Sequence, residues 1–185
     1  MKIKPRNMLL LLAAVCGLPI VFSYLAFYVW KPQTTMNYGE LITPAPLAGS
    51  LTDLEGRPVG LETLRGKWVM LYASSAQCDE TCKQLLYYMR QARTAQGEHM
   101  DRIERVWVIT DSATPDAAWL KDYPGMKLLR GTPSLPAPQS ASRHIYLLDP
   151  LGNVFMRYPD NPEPKRIIKD LSRLMKFSNV DRGAK

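Results

Sequence analysis

Residues 8–30 read MLLLLAAVCGLPIVFSYLAFYVW and contain no charged residue. An uncharged apolar run of about 20 residues is long enough to span a bilayer as one helix. Lys2, Lys4 and Arg6 precede the run, which predicts that the N-terminus stays cytoplasmic. Tyr24, Tyr28 and Trp30 suit the far interface. A cleavable signal peptide would have a shorter apolar core followed by a small-x-small cleavage site. This run is long and ends in FYVWKPQ, so the reading is an uncleaved anchor. Cys16 lies inside it as apolar filler, since the Val before it fits a lipid-attachment site poorly. Residues 1–7 then form a cytoplasmic tail, and everything past Lys31 lies outside the cytoplasm. In a bacterium that compartment is the periplasm, where a cysteine pair can be oxidised.

The chain of 185 residues has room for one domain of ordinary size. Residues 31–50, KPQTTMNYGELITPAPLAGS, read as a linker, 51–178 as the domain and 179–185 as a tail. The net charge of +7 raises nucleic acid as a partner. However, the first basic residues flank the apolar run and the rest alternate with acids. That pattern is a solvated basic surface, and no nucleic-acid partner is expected. Prolines cluster around residues 44–46, 133–138 and 159–164, which places linkers and loops there.

Within the domain, LTDLEGRPVGL predicts a hairpin turning at Glu55-Gly56. KWVMLYA, residues 67–73, is a continuous apolar run that suits a buried central strand. Cys78 and Cys82 follow at the strand-to-helix turn. From Asp79 to Gln96, Leu85, Leu86, Met89 and Ala92 recur at helical spacing. RVWVITD, residues 105–111, predicts a second buried strand. TPDAAWLKDY predicts a short helix with a Thr-Pro start. HIYLLDPLGNVFMRY predicts a hairpin turning at residues 150–153. EPKRIIKDLSRLMKF predicts an amphipathic closing helix with Ile167, Ile168, Leu171, Leu174 and Met175 on one face. The order is hairpin, strand, helix, strand, helix, hairpin, helix, with a cysteine pair where the first central strand meets its helix. The fold class is therefore α/β, a thioredoxin-like central sheet flanked by helices and preceded by one transmembrane helix. Open α/β sheets place chemistry at the carboxyl ends of their strands, where these cysteines fall.

At this point the residues resemble a known family. GKWVMLYASSAQCDETC is similar to the core of the Sco/SenC copper-chaperone group, a glycine-lysine-tryptophan strand followed by Cys-x-x-x-Cys. LTDLEGRPVGLETLRGK resembles that family's hairpin and approach to the strand. VWVITDSATPDAAWLKDY resembles its second strand, terminal aspartate and next helix, and YLLDPLGNVFMRY its last hairpin. The likeness runs over residues 51–175. It implies a copper site of both cysteines and a histidine five residues before the hairpin tyrosine. That tyrosine is Tyr146, so the matching position holds Ala141, and His144 stands two residues before Tyr146. LLRGTPSLPAPQSASRH crosses in a few residues a gap that the family fills with a helix and a long loop.

Cys78 and Cys82 share one face of a helical turn, about 6 Å apart at Cα, which makes a reversible disulfide feasible. A helix N-terminus lowers a thiol's pKa, but Asp79 and Glu80 between the cysteines oppose the thiolate. The expected pair is reducing or poised, not strongly oxidising. Cu(I) prefers soft sulfur, and the two thiolates could hold it. Cu(II) would also want imidazole, from His144 or His99. His144 opens a strand, either as a ligand or as a plain surface residue. His99 reads as loop, and Met100 beside it as packing. Zinc would usually take four protein ligands, against two Cys and two His here without finger spacing. A peroxiredoxin would have Pro and Thr where Leu71 and Ser75 stand. A glutathione peroxidase would have Gln and Trp partners that VWVITDSATP lacks.

The resemblance implies a membrane-anchored factor for assembly of a respiratory haem-copper oxidase, acting through Cys78 and Cys82 by copper handling or thiol–disulfide exchange. Its partners would be the membrane, through residues 8–30, and an oxidase subunit or another periplasmic thiol or copper protein. Two alternatives stay open. One is a general periplasmic thiol–disulfide oxidoreductase resembling the TlpA type. The other is a docking scaffold whose cysteines form a static disulfide.

Overall fold

The computed structural model describes residues 5–29, 37–135 and 143–178. The chain divides into two compact units, Met1–Met36 and Asn37–Lys185. The first unit holds helix α1 (Pro5–Val29), with Pro19 inside it. Leu9, Phe22 and Phe27 on this helix are exposed, and a helix apolar on every side is suited to lipid. Among the described residues, α1 supplies the one segment long and apolar enough to cross a membrane, Arg6–Tyr28. Trp30, read as an interface anchor, lies outside the described residues.

The second unit is built on one mixed sheet. Its strands are β1 (Glu40–Pro46), β2 (Leu51–Thr52), β3 (Pro58–Val59), β4 (Trp68–Ser74), β5 (Ile103–Ile109), β6 (Met126–Gly131), β7 (Tyr146–Leu148) and β8 (Asn153–Arg157). They lie in the order β1-β8-β7-β4-β5-β6-β2-β3. β4, β5 and β6 are parallel, and β7 runs antiparallel to β4. Among the described residues the unit's α-helices are α2 (Glu80–Thr94), α3 (Ala117–Leu120) and α4 (Pro164–Phe177).

The central strands are apolar without a break because both their faces are covered. On one face Met70, Tyr72, Trp107 and Ile109 pack with Leu85, Leu86 and Met89 of α2 and Ile167, Leu171 and Met175 of α4. On the other face Val69, Leu71, Val106 and Val108 pack with Leu47, Leu64 and Tyr146. Burying each such side chain stabilises the fold by about 1.5–3 kcal/mol before the entropy of ordering is counted. The result is the thioredoxin-like sheet with flanking helices.

Glu40–Pro46 falls within the span read as a linker, yet it pairs with β8 as an edge strand. Proline is tolerated there because an edge strand leaves one row of its backbone groups unpaired. A buried carboxylate secures the approach to this strand: Asp170 of α4 accepts the Tyr38 and Gly39 amide protons at 2.9 Å each. β6 is a further strand absent from the sequence reading. The short helix starts two residues later than its Thr-Pro signal implies, since Asp116 caps it by accepting the Ala118 N–H at 2.8 Å. Both expected hairpins form, with Leu51 opposite Val59 and Tyr146 opposite Arg157.

Candidate functional site

Strand β4 ends at Ser74 and α2 begins at Glu80, so the turn between them carries Cys78. Cys78 has φ of 39°, the left-handed region that β-carbon-bearing residues seldom occupy. That conformation swings the chain into the helix. Asp79 is the N-cap, and its carboxylate accepts the Cys82 N–H at 2.8 Å. Such a cap is worth about 1 kcal/mol. Cys82 therefore sits on the first turn with its side chain facing the sheet. Cys78 and Cys82 are joined as a disulfide with Cα atoms 5.1 Å apart, and each residue is 2 % exposed.

Three strand residues form a hydrogen-bonded group that meets the Cys82 sulfur through Ser74. Ser74 Oγ lies 3.3 Å from Cys82 Sγ. The Trp107 indole N–H of β5 donates to the same Ser74 oxygen at 2.9 Å. Trp107 is itself held by Trp119 of α3, ring centroids 5.7 Å apart, and Tyr123 meets Trp119 edge-on at 5.0 Å. Tyr72 hydrogen-bonds to Ser74, and burial pushes its pKa up to about 12. Asp79 nearby adds to that rise, while the Ser74 bond and Arg143 oppose it. One register step in the sheet explains the grouping, because Tyr72 pairs with Trp107 across β4 and β5.

The turn is anchored from β5 as well. The Asp111 carboxylate accepts the Ala76 N–H at 3.2 Å and the Ala113 N–H at 3.2 Å. The acids between the cysteines have separate tasks. Asp79 caps the helix, and Glu80 pairs with Lys83 at 2.9 Å on the exposed side.

His144 is buried, unlike the surface residue that its strand-opening position allows. Its Nδ1 lies 2.7 Å from the Tyr158 carbonyl oxygen and its Nε2 2.9 Å from an Asp160 carboxylate oxygen. Its ring meets Tyr146 edge-on, with centroids 6.2 Å apart. His99 lies past the far end of α2, beside Glu98, so a helix of about 20 Å separates it from the disulfide. Ala141 lies outside the described residues. Among those described, no group of three or more His, Cys, Asp or Glu residues converges to hold a metal.

The donor set can be weighed against copper from these contacts. Once reduced, Cys78 and Cys82 supply two soft sulfurs, which fit Cu(I). A Cys-Cys-His set would need a His144 nitrogen released from Tyr158 or Asp160. Ser74, Trp107 and Tyr72 are the residues that sequence reasoning passed over. The only signal for them is a small polar side chain closing an otherwise apolar strand.

Residues 68–178 match the family model described as "Transmembrane-like, thioredoxin-like, C-terminal domain". No curated protein matches the chain. Several solved structures do. Copper-bound ScoI of Bradyrhizobium japonicum aligns over 70 % of this chain and 99 % of its own, at 21 % identity and a TM-score of 0.52. Copper-bound yeast Sco1 aligns over 76 % and 99 %, at 19 % identity and a TM-score of 0.55. A SCO1/SenC family lipoprotein of Bacillus anthracis aligns over 73 % and 99 %, at 22 % identity and a TM-score of 0.52. At these identities the likeness is one of fold.

Proposed function

The chain belongs to the transmembrane-like, thioredoxin-like C-terminal-domain family, and we propose that it is a membrane-anchored, Sco-like factor for assembly of a respiratory haem-copper oxidase. It acts through the Cys78–Cys82 pair by thiol–disulfide chemistry. The observation that carries this reading is the bridge itself, placed where the central strand β4 meets α2, in a sheet folded like copper-bound Sco proteins.

Reduced, the pair passes two electrons to a partner disulfide and closes its own S–S bond. The same two thiolates would hold Cu(I) as cargo from a copper protein or for an oxidase subunit. Asp79, one residue past Cys78, sets a negative charge against the thiolates and keeps the pair reducing. α1 serves as the anchor, and the Lys2, Lys4 and Arg6 flank supports a periplasmic thiol domain.

The test is deletion of the gene in its host, with oxidase activity measured under copper limitation and after copper addition. Complementation with C78S and C82S follows. Loss of activity on deletion, restored by the native gene and by neither variant, is expected. Full activity under copper limitation would overturn the reading. The engaged His144 nitrogens favour a second reading, a general TlpA-type oxidoreductase without oxidase dedication. In that case deletion would shift the thiol state of many periplasmic proteins and spare the oxidase.

A further inference from the structure

We propose that Ser74, held by Trp107, is a positioning residue that receives the Cys82 sulfur as a thiolate when an external thiol opens the bridge at Cys78. The inference rests on the thiol–disulfide reading above and deepens it, by naming a residue outside the cysteine pair that acts on the leaving sulfur.

Indole N–H can only donate, so the Trp107 contact fills one acceptor site of Ser74 Oγ. Neither sulfur of a disulfide carries a hydrogen. In the bridged state Ser74 is therefore the donor at 3.3 Å to Cys82 Sγ. Two other acceptors lie within reach of its hydrogen, the Ser75 carbonyl oxygen, also at 3.3 Å, and the Tyr72 hydroxyl. A disulfide sulfur is a weak acceptor, whereas a thiolate is a strong one, so the contact strengthens as charge develops on Cys82. The tilted contact of Trp107 with Trp119 holds the indole in place, and with it the N–H that Ser74 accepts. Ser74 is buried, so water competes little for this proton.

The approach of a partner follows from the same turn. Both cysteines are 2 % exposed, so the distinction lies in their surroundings: Cys78 stands in the turn between exposed Gln77 and exposed Asp79, whereas Cys82 stands on α2 facing Ser74. A dithiol partner, as thiolate, attacks Cys78 Sγ. The Cys78–Cys82 bond breaks, its electron pair leaves on Cys82 Sγ, and Ser74 donates its hydrogen bond to that anion. The partner's second thiolate then attacks the mixed disulfide, Cys78 leaves as thiolate, and the partner departs oxidised. Two electrons have moved from the dithiol to the pair.

The experiment uses the full chain in detergent micelles, as wild type, S74A, S74T and W107F. Dithiothreitol opens the bridge, and opening is followed by thiol alkylation. Thiolate formation in the reduced protein is followed by ultraviolet absorbance against pH. A brief glutathione pulse, quenched by alkylation, locates the mixed disulfide by peptide mass. S74A is expected to open about tenfold more slowly, with the Cys82 titration midpoint about one pH unit higher. S74T restores both, W107F moves both in the same direction by less, and glutathione is found on Cys78. S74A with wild-type rate and midpoint, or glutathione on wild-type Cys82, overturns the assignment. If S74A does not fold, W107F with wild-type rate and midpoint does so. An unaltered oxidase in a C78S strain would instead defeat the functional reading and leave these measurements standing.

Discussion

Replacing Asp79 by Asn separates the two tasks of this side chain. Its carboxylate caps α2 through the Cys82 N–H, and its charge stands next to Cys78 in the chain, on the turn that carries both sulfurs. Asn caps a helix about as well as Asp, so D79N keeps the hydrogen bond and removes only the charge. The side chain is exposed, which limits the electrostatic effect to about 0.5–1 kcal/mol. For a two-electron couple 30 mV corresponds to about 1.4 kcal/mol, so the potential should rise by roughly 10–20 mV. The sign follows from the states compared: removing a negative charge stabilises the reduced, thiolate-bearing form, and the disulfide becomes the stronger oxidant. D79A should shift the potential alike and in addition lose about 1 kcal/mol of stability with the cap. The assay equilibrates full-length protein in micelles against glutathione buffers and counts free thiols by alkylation. An unchanged potential in both variants would refute the reasoning, since it would mean that the charge does not act on either sulfur.

Other outcomes follow from the same structure. A reporter active only outside the cytoplasm should work when fused after Gly49, and activity from a cytoplasmic reporter there instead would reverse the topology. Cu(I) should bind the reduced protein, and C78S or C82S should abolish binding. Cu(II) should bind weakly and without a strong sulfur-to-copper charge-transfer band. Tight Cu(II) binding lost in H144A would show that the histidine leaves Tyr158 and Asp160 to join the cysteines. The Tyr72 hydroxyl, raised by burial from about 10 to about 12, contributes stability that is full below pH 10 and lost as pH rises through 12. Denaturant midpoints of Y72F should therefore fall less steeply than wild type between pH 10 and 12, with Tyr158, also raised by burial, retaining part of the loss.

What could be read from the sequence was decided by burial. Residues of β4 and β5 are covered on both faces, so the strands stand out as unbroken apolar runs. β6 is half-buried, with only Leu129 fully inside, and MKLLRG carries neither a clear alternation nor an unbroken run. ELITPAP reads as linker because of its prolines and becomes a strand only by pairing with β8 from more than a hundred residues away. The cysteines announced themselves by their place at a strand-to-helix turn. Ser74 and Trp107 look like ordinary strand residues, and their convergence on Cys82 exists only once β4 and β5 are side by side. His144 gives no sign in sequence of its commitments to Tyr158 and Asp160, which belong to the end of β8 and the loop beyond it.

The clamp at Asp170 has a mechanical consequence. Any tension carried along the backbone from the anchor enters the domain at residue 37, and the first amides it meets are those of Tyr38 and Gly39. Both are fastened to α4, near the opposite end of the chain, by one carboxylate. Load is thereby shared with a helix packed across the core before it can peel β1 from the sheet edge. The thiol turn lies at the end of β4, with β8 and β7 between it and β1, and is shielded from that pull.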